Sequence, residues 1–398
     1  MPELSKRAVQ MPPSPIRKLV PFAEAAKKKG LHVYNINIGQ PDISSPVNFL
    51  NAFKNHQINV LEYGHSAGLW EYRDELVKYY ARFNIHITSD EIVVTNGGSE
   101  AIIFAMLATM NPGDEIIIPE PFYTNYNGFA VEAGVKIVPV TSRIENAFAL
   151  PPIKEIENKI SAKTKAVMIC SPNNPTGYIY TKKEMEDLKT LTIENDLFFF
   201  CDEVYRELVF DGDVVTSIFH LNGIDDRAVM LDSISKRYSV CGARIGCLIT
   251  HNKSILDTAL RLGQARLCPP TMEQLAAKEA INTPQSYFEK VIADYKNRRE
   301  VVFEELAKIK GVVALKPQGA FYTIVKLPVK DADDFAVWLL KDFESKGETV
   351  MLAPGNGFYA TPGKGKDEVR IAFVLNTAAM RRSMEIIREA LEVYPGRL

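Results

Sequence analysis

The chain has 398 residues, 46% of them hydrophobic and 24% charged, with 23 Gly and 23 Pro, the balance of a folded protein long enough for about two to three domains. Forty-seven Lys and Arg face 49 Asp and Glu, which leaves no chain-wide field to attract nucleic acid or an anionic membrane. The opening "MPELSKRAVQMPPSP" lacks the apolar core of a secretory signal, and the longest apolar run, "AIIFAMLATM", is too short to cross a bilayer.

Five cysteines, Cys170, Cys201, Cys241, Cys247 and Cys268, are odd in number and without paired spacing. That argues against a disulfide framework and against a metal site, and for a reducing cytoplasm.

In chain order, the Pro-rich stretch "MPPSPIRKLVPFAEAAKKKG" has no strand pattern of its own and is expected to pack with the C-terminal part. From about residue 90 to 250 one grammar repeats: a short β-branched or aromatic run, a polar turn, then a helical pattern. The runs are "EIVV" (91–94), "DEIIIP" (114–119), "KIVPV" (136–140), "AVMIC" (166–170), "LFFFC" (197–201), "AVMLD" (228–232) and "IGCLIT" (245–250). Most are continuously apolar, as strands covered on both faces are. The expected fold is α/β: a large domain with a mostly parallel sheet covered by helices, plus a smaller α+β domain. The boundaries predicted are 1–45 for an N-terminal segment packing with the small domain, 46–284 for the large domain and 285–398 for the small one.

Ligands of open parallel sheets sit beyond the carboxyl ends of the strands. Five runs deliver polar residues there: "TNGGSEA", "EPFYTNY", "SPNNPTG", "DEVY" and "DSISKRY". Gly97, Gly98 and Ser99 open a helix, where free N–H groups and the helix dipole favour an anion, although a plain strand-to-helix turn capped by Ser99 is the better reading of the stretch in isolation. Neither a dinucleotide glycine fingerprint nor a P-loop is present. Asp202 either caps a following helix or holds a positive charge on a ring nitrogen. Lys236 is either a solvated loop residue or a nucleophile able to form a Schiff base, helped by a nearby cation that depresses its pKa; Arg244 is close enough in sequence to be that cation or a phosphate ligand.

Taken together, "NINIGQPD" (35–42), "EYGHSAGLWEYRDEL", "TNGGSEA", "SPNNPTG", "DEVY", "SISKRYSVCGARIG" and "VRIAF" (369–373) make the chain resemble the fold-type I, class I/II aminotransferases that use pyridoxal 5'-phosphate. The resemblance implies that Lys236 is the covalent anchor of the cofactor and the proton carrier, and that Asp202 pairs with the pyridinium nitrogen. Tyr205 and Asn174 would bond the ring hydroxylate, and Tyr123 would stack on the ring. Gly98, Ser99, Ser233, Ser235 and Arg244 would hold the phosphate. Tyr63 would reach it from a neighbouring subunit, which implies a homodimer with shared active sites. Arg370 and Asn174 would bind the substrate α-carboxylate, with Gly39 and Ile16 on the substrate side. The activity implied is ping-pong transfer of an amino group from an L-amino acid to a 2-oxo acid, of aspartate/2-oxoglutarate type. A broad alanine or aromatic enzyme and a C–S lyase on the same fold stand as alternatives. An aspartate enzyme needs a second cation, for which Arg266, Lys136 and Arg143 are candidates.

Overall fold

The structure, a computed structural model, describes residues 2–55 and 58–398. All seven apolar runs are strands of one sheet: β2 (Ile92–Asn96), β3 (Glu115–Glu120), β4 (Lys136–Thr141), β5 (Thr164–Cys170), β6 (Phe198–Asp202), β7 (Ala228–Ser233) and β8 (Ile245–Ile249). They lie in the order β2-β8-β7-β6-β5-β3-β4. Strand β8 runs antiparallel to both its neighbours, and the other pairs are parallel. The α/β fold expected from the sequence is the one observed.

The continuous apolar runs follow from burial on both faces. Val167, Ile169, Phe199 and Cys201 pack on one side, and Ala166, Met168, Phe200 and Val229 on the other. Successive residues of a strand point to opposite faces, so a strand covered twice has no polar alternate positions. Helix Gly97–Thr109 supplies Ala101, Ile102, Ala105 and Met106 to the second of these cores.

Two further sheets are built from the chain ends. Strand β1 (His32–Asn35) pairs in parallel with β11 (Glu348–Met351). An antiparallel sheet takes the order β12-β13-β10-β9, with β9 Val313–Ala314, β10 Tyr322–Lys326, β12 Ala353–Pro354 and β13 Glu368–Ala372. Leu19, Ala23 and Ala26 near the N-terminus share one core with Phe335, Leu339, Met384 and Ile387. Among the described residues no helix is long and apolar enough to cross a membrane.

Candidate active site

At the edge of the seven-stranded sheet lies a cavity of about 410 Å³. Strands β2, β5, β6 and β7 end beside it. Strand β8 begins there because it runs the other way, so Arg244, immediately before β8, reaches the same edge as residues that follow the parallel strands. Its walls hold Gly39, Gly98, Ser99, Tyr123, Asn174, Asp202, Tyr205, Ser233, Ser235, Lys236, Arg244 and Arg370, with Ile16 at the outer side. Every residue to which the resemblance gave a cofactor or substrate role is therefore gathered here except Tyr63, which is 80% exposed and does not line this wall.

One end of the cavity is built for an anion. Asn96 precedes helix Gly97–Thr109 without a side-chain cap, so Ser99 does not act as one and the first-turn N–H groups remain open. Gly97 has φ +71°, and a Cβ there would lie 2.4 Å from Arg244 Nη2. Only glycine lets the guanidinium come so near the helix start. Arg244 donates to Cys241 O at 3.2 Å and to Asn96 O at 3.3 Å. Ser233 donates to Ile245 O at 2.9 Å and shares a 2.8 Å contact with the Ser235 hydroxyl.

Deeper in, Asp202 is buried without an ion-pair partner among the described residues. Its Oδ2 accepts from Tyr126 Oη at 2.7 Å and its Oδ1 from Val204 N at 3.3 Å. No helix follows it, only a turn through residues 204–207. Burial lifts its pKa to about 6, against the two hydrogen bonds that lower it.

Lys236 donates to Gly39 O at 2.8 Å and to Cys241 Sγ at 3.5 Å. The expected depression of its pKa by Arg244 is not what the structure shows. Burial pulls the ammonium down, but Tyr322, Cys241 and Tyr123 outweigh it and the net shift is upward. Arg244 faces the helix start instead.

The wall that carries Arg370 is a hydrogen-bonded row. Arg370 Nη1 donates to Asn174 Oδ1 at 3.0 Å and Nη2 to Asn37 O at 2.5 Å, while Nε is buried without a partner among the described residues. Asn174 Nδ2 lies 3.5 Å from Tyr205 Oη, which is 3.1 Å from Tyr322 Oη. The Arg370 guanidinium sits 4.4 Å from the centre of the Tyr322 ring. A Cβ on Gly39 would fall 1.6 Å from the Tyr322 hydroxyl, so this position excludes any side chain.

Tyr126, Tyr322, Cys241 and Arg17 also line the cavity and escaped the sequence reading. Tyr126 stood in the quoted "PFYTNY" turn, and its signal was a second aromatic three residues after Tyr123. Tyr322 lay inside an apolar strand with nothing local to mark it. Of the cations considered for a distal carboxylate, none lines the cavity. Arg266 is held by Glu100 at 3.0 Å and by Val94 O at 2.7 Å, and Lys136 pairs with Glu115 at 3.3 Å. Arg143 lines a different depression, with Ser142 and Glu155.

The family model "Aminotransferase class I and II" matches residues 32–387. The chain belongs to the class I and II aminotransferases. It is 32% identical to the aspartate aminotransferase of Thermotoga maritima over 98% of this chain and 99% of that one. The crystal structure of that Thermotoga maritima enzyme superposes with a TM-score of 0.89, covering 98% of this chain and 100% of the other. An alanine aminotransferase from Pyrococcus furiosus, 30% identical, gives 0.88 over 97% and 99%. The aspartate aminotransferase of Thermus thermophilus with maleate, 26% identical, gives 0.88 over 98% and 100%.

This protein is accordingly a transaminase, and pyridoxal phosphate is its cofactor. The residues present fit that group. An uncapped helix start with Arg244 suits a phosphate, the buried Asp202 has no cation beside it among the described residues, and the Lys236 amine lines the same space.

Proposed function

We propose that this aminotransferase moves the α-amino group of L-aspartate to 2-oxoglutarate in a ping-pong cycle, as a cytoplasmic homodimer. The observation that carries the dicarboxylate part is Arg17. It lines the cavity from the N-terminal segment, is exposed, and has no side-chain partner among the described residues. The other three cations on the wall, Lys236, Arg244 and Arg370, have roles of their own in this reading. Arg17 is thus the guanidinium left for a second carboxylate. That relatives bear the name aspartate aminotransferase, and that one was solved with maleate, a dicarboxylate, agrees with this.

In the mechanism, Ser99, Ser235, the backbone of Gly98 and Arg244 would hold the cofactor phosphate, with Ser233 bracing Ser235. Asp202, without an ion-pair partner among the described residues, would hold the ring nitrogen in its protonated form, and Tyr126 and Val204 N fix the carboxylate in place. Bound there, pyridoxal phosphate supplies an electrophilic aldehyde and an electron sink for the pair left on the substrate Cα. Asn174 and Tyr205 would bond the ring hydroxylate, and Tyr123 would cover the ring. Arg370 binds the substrate α-carboxylate, orienting the Cα–H bond. Lys236 Nζ would anchor the cofactor and, once released, would take the substrate Cα proton.

The dimer reading rests on an apolar stretch that a single chain leaves in water. Val60, Leu61, Tyr63 and Trp70 are all more than half exposed. Tyr63 in that stretch would serve the neighbouring subunit's phosphate site. Residues 46–284 would form the cofactor domain and 285–398 the small domain with residues 1–45 packed on it, a division supported by the β1–β11 pairing.

A screen of single amino acids, following loss of the visible band of the lysine-bound cofactor, tests the substrate. Aspartate and glutamate should convert at least ~10-fold faster than alanine or phenylalanine, about the worth of one charge-assisted contact. Equal rates for aspartate and phenylalanine would sink the dicarboxylate reading. Release of pyruvate and ammonia from a sulfur amino acid would favour the lyase.

A further inference from the structure

Cys241 has no part in the roles above, yet among the described residues it alone is hydrogen-bonded to both Lys236 and Arg244. Its carbonyl accepts from Arg244 Nη1 at 3.2 Å, and its Sγ donates to Ser235 O at 3.2 Å. A thiol has one proton. With that proton on Ser235 O, the sulfur turns its lone pairs to Lys236 Nζ, 3.5 Å away. Cys241 opens the short turn Cys241–Ala243, which ends on Arg244 in the left-handed region at φ +55°. One turn therefore fixes the sulfur and the guanidinium together.

We propose that Cys241 is a positioning residue: with Gly39 O, its sulfur docks the Lys236 amino group whenever that group is not bound to the cofactor. The lysine then waits beside the substrate wall, where its proton transfer takes place. This rests on the reading of Lys236 as proton carrier. The groups facing the ammonium are Tyr322 from β10, Tyr123 from the β3 turn, the Phe321 ring at 6.0 Å and Cys241 itself. Among the described residues no carboxylate pairs with it, so the loss of one weak acceptor is measurable.

The test compares Cys241→Ser, whose hydroxyl keeps both a donor and an acceptor, with Cys241→Ala, which keeps neither. Two readouts are used: the kinetic isotope effect with α-deuterated substrate, and the pH at which the rate of pyridoxal phosphate recombination with the resolved enzyme breaks. In Cys241→Ala, kcat should fall about threefold to tenfold, the worth of one ordinary hydrogen bond. KM should stay unchanged, the isotope effect should rise and the pH break should move down by about half a unit. Cys241→Ser should recover most of each. If Cys241→Ala does not fold, Cys241→Val carries the same comparison. A wild-type isotope effect and pH break in Cys241→Ala, or equal impairment in the serine variant, would overturn the proposal. Turnover surviving in Lys236→Ala would instead remove the reading beneath it, so the two failures are distinguishable.

Discussion

Asp202 and Asp232 stand near the ends of adjacent parallel strands, β6 and β7, both buried, and their surroundings are opposite. Asp232 bonds Arg237, lies 3.5 Å from Arg206 Nη1, and accepts from Tyr80 Oη at 2.6 Å and Ser233 N at 2.7 Å. Burial raises its pKa, but Arg237 and Arg206 outweigh burial and hold it below the usual range. Asp202 has only a tyrosine hydroxyl and a backbone N–H, and burial wins. The consecutive residues Lys236 and Arg237 split in the same way. Arg237 enters the buried network with Asp232 and Glu207, while Lys236 faces the cavity with uncharged partners. A buried charge matched by the protein's own counter-charges holds a fold together. One left unmatched costs stability, and the cost is recovered when a ligand brings the missing charge.

The largest expected break in this contrast is Lys236→Ala. Turnover should fall at least ~10,000-fold, while absorbance titration still detects cofactor held through the phosphate end. Turnover within tenfold of wild type would remove Lys236 as proton carrier. On the matched side, Asp232→Asn should cost about 3–5 kcal/mol in urea unfolding, because two buried guanidinium groups lose a counter-charge. A loss under about 1 kcal/mol would mean that the network does not hold the strand ends.

Asp202→Asn should act in the reverse direction on the cofactor-free protein. The folded-state pKa of Asp202 is raised from 3.8 to about 6, so the folded chain binds the proton more tightly than the unfolded one. Stability therefore falls as pH rises from about 4 through about 6, by roughly 3 kcal/mol in all. The asparagine variant lacks that loss: its advantage should be small near pH 3.5, about a third of its full value near pH 4.5, and reach up to ~3 kcal/mol at pH 8, even as turnover collapses. An advantage independent of pH would contradict the assignment. Smallest is Tyr126→Phe, which removes one donor from the Asp202 carboxylate and should cost about 1 kcal/mol at pH 8 and less at pH 5. A pH-independent loss would trace the effect to packing.

Much of the fold was legible because the sheet buries both faces. Each strand then becomes an unbroken apolar run, and the seven runs matched the seven strands to within two residues at either end. The gathering of site residues was legible for a related reason: parallel strands end at one edge, so polar residues after "AVMIC" and "LFFFC" had to lie near one another. Tyr322 was not legible, because a polar group on a buried strand of a different sheet leaves no periodic mark. Nor was Arg17. Its segment is Pro-rich and locally featureless, and it reaches the cavity only by packing across β1 and the C-terminal core.

From its own pattern the sequence determined the α/β class, the strand positions, the family, and the candidates Lys236, Asp202, Asn174, Arg244 and Arg370. These are local properties: periodicity, turn chemistry and short motifs. Tertiary structure decided what each charge faces. Reversal of β8 carried Arg244 to the helix start instead of to Lys236, and Arg237 and Arg206 converged on Asp232 instead of Asp202. Sequence spacing sets neither outcome, because electrostatic partnership depends on distance and burial across elements far apart in the chain.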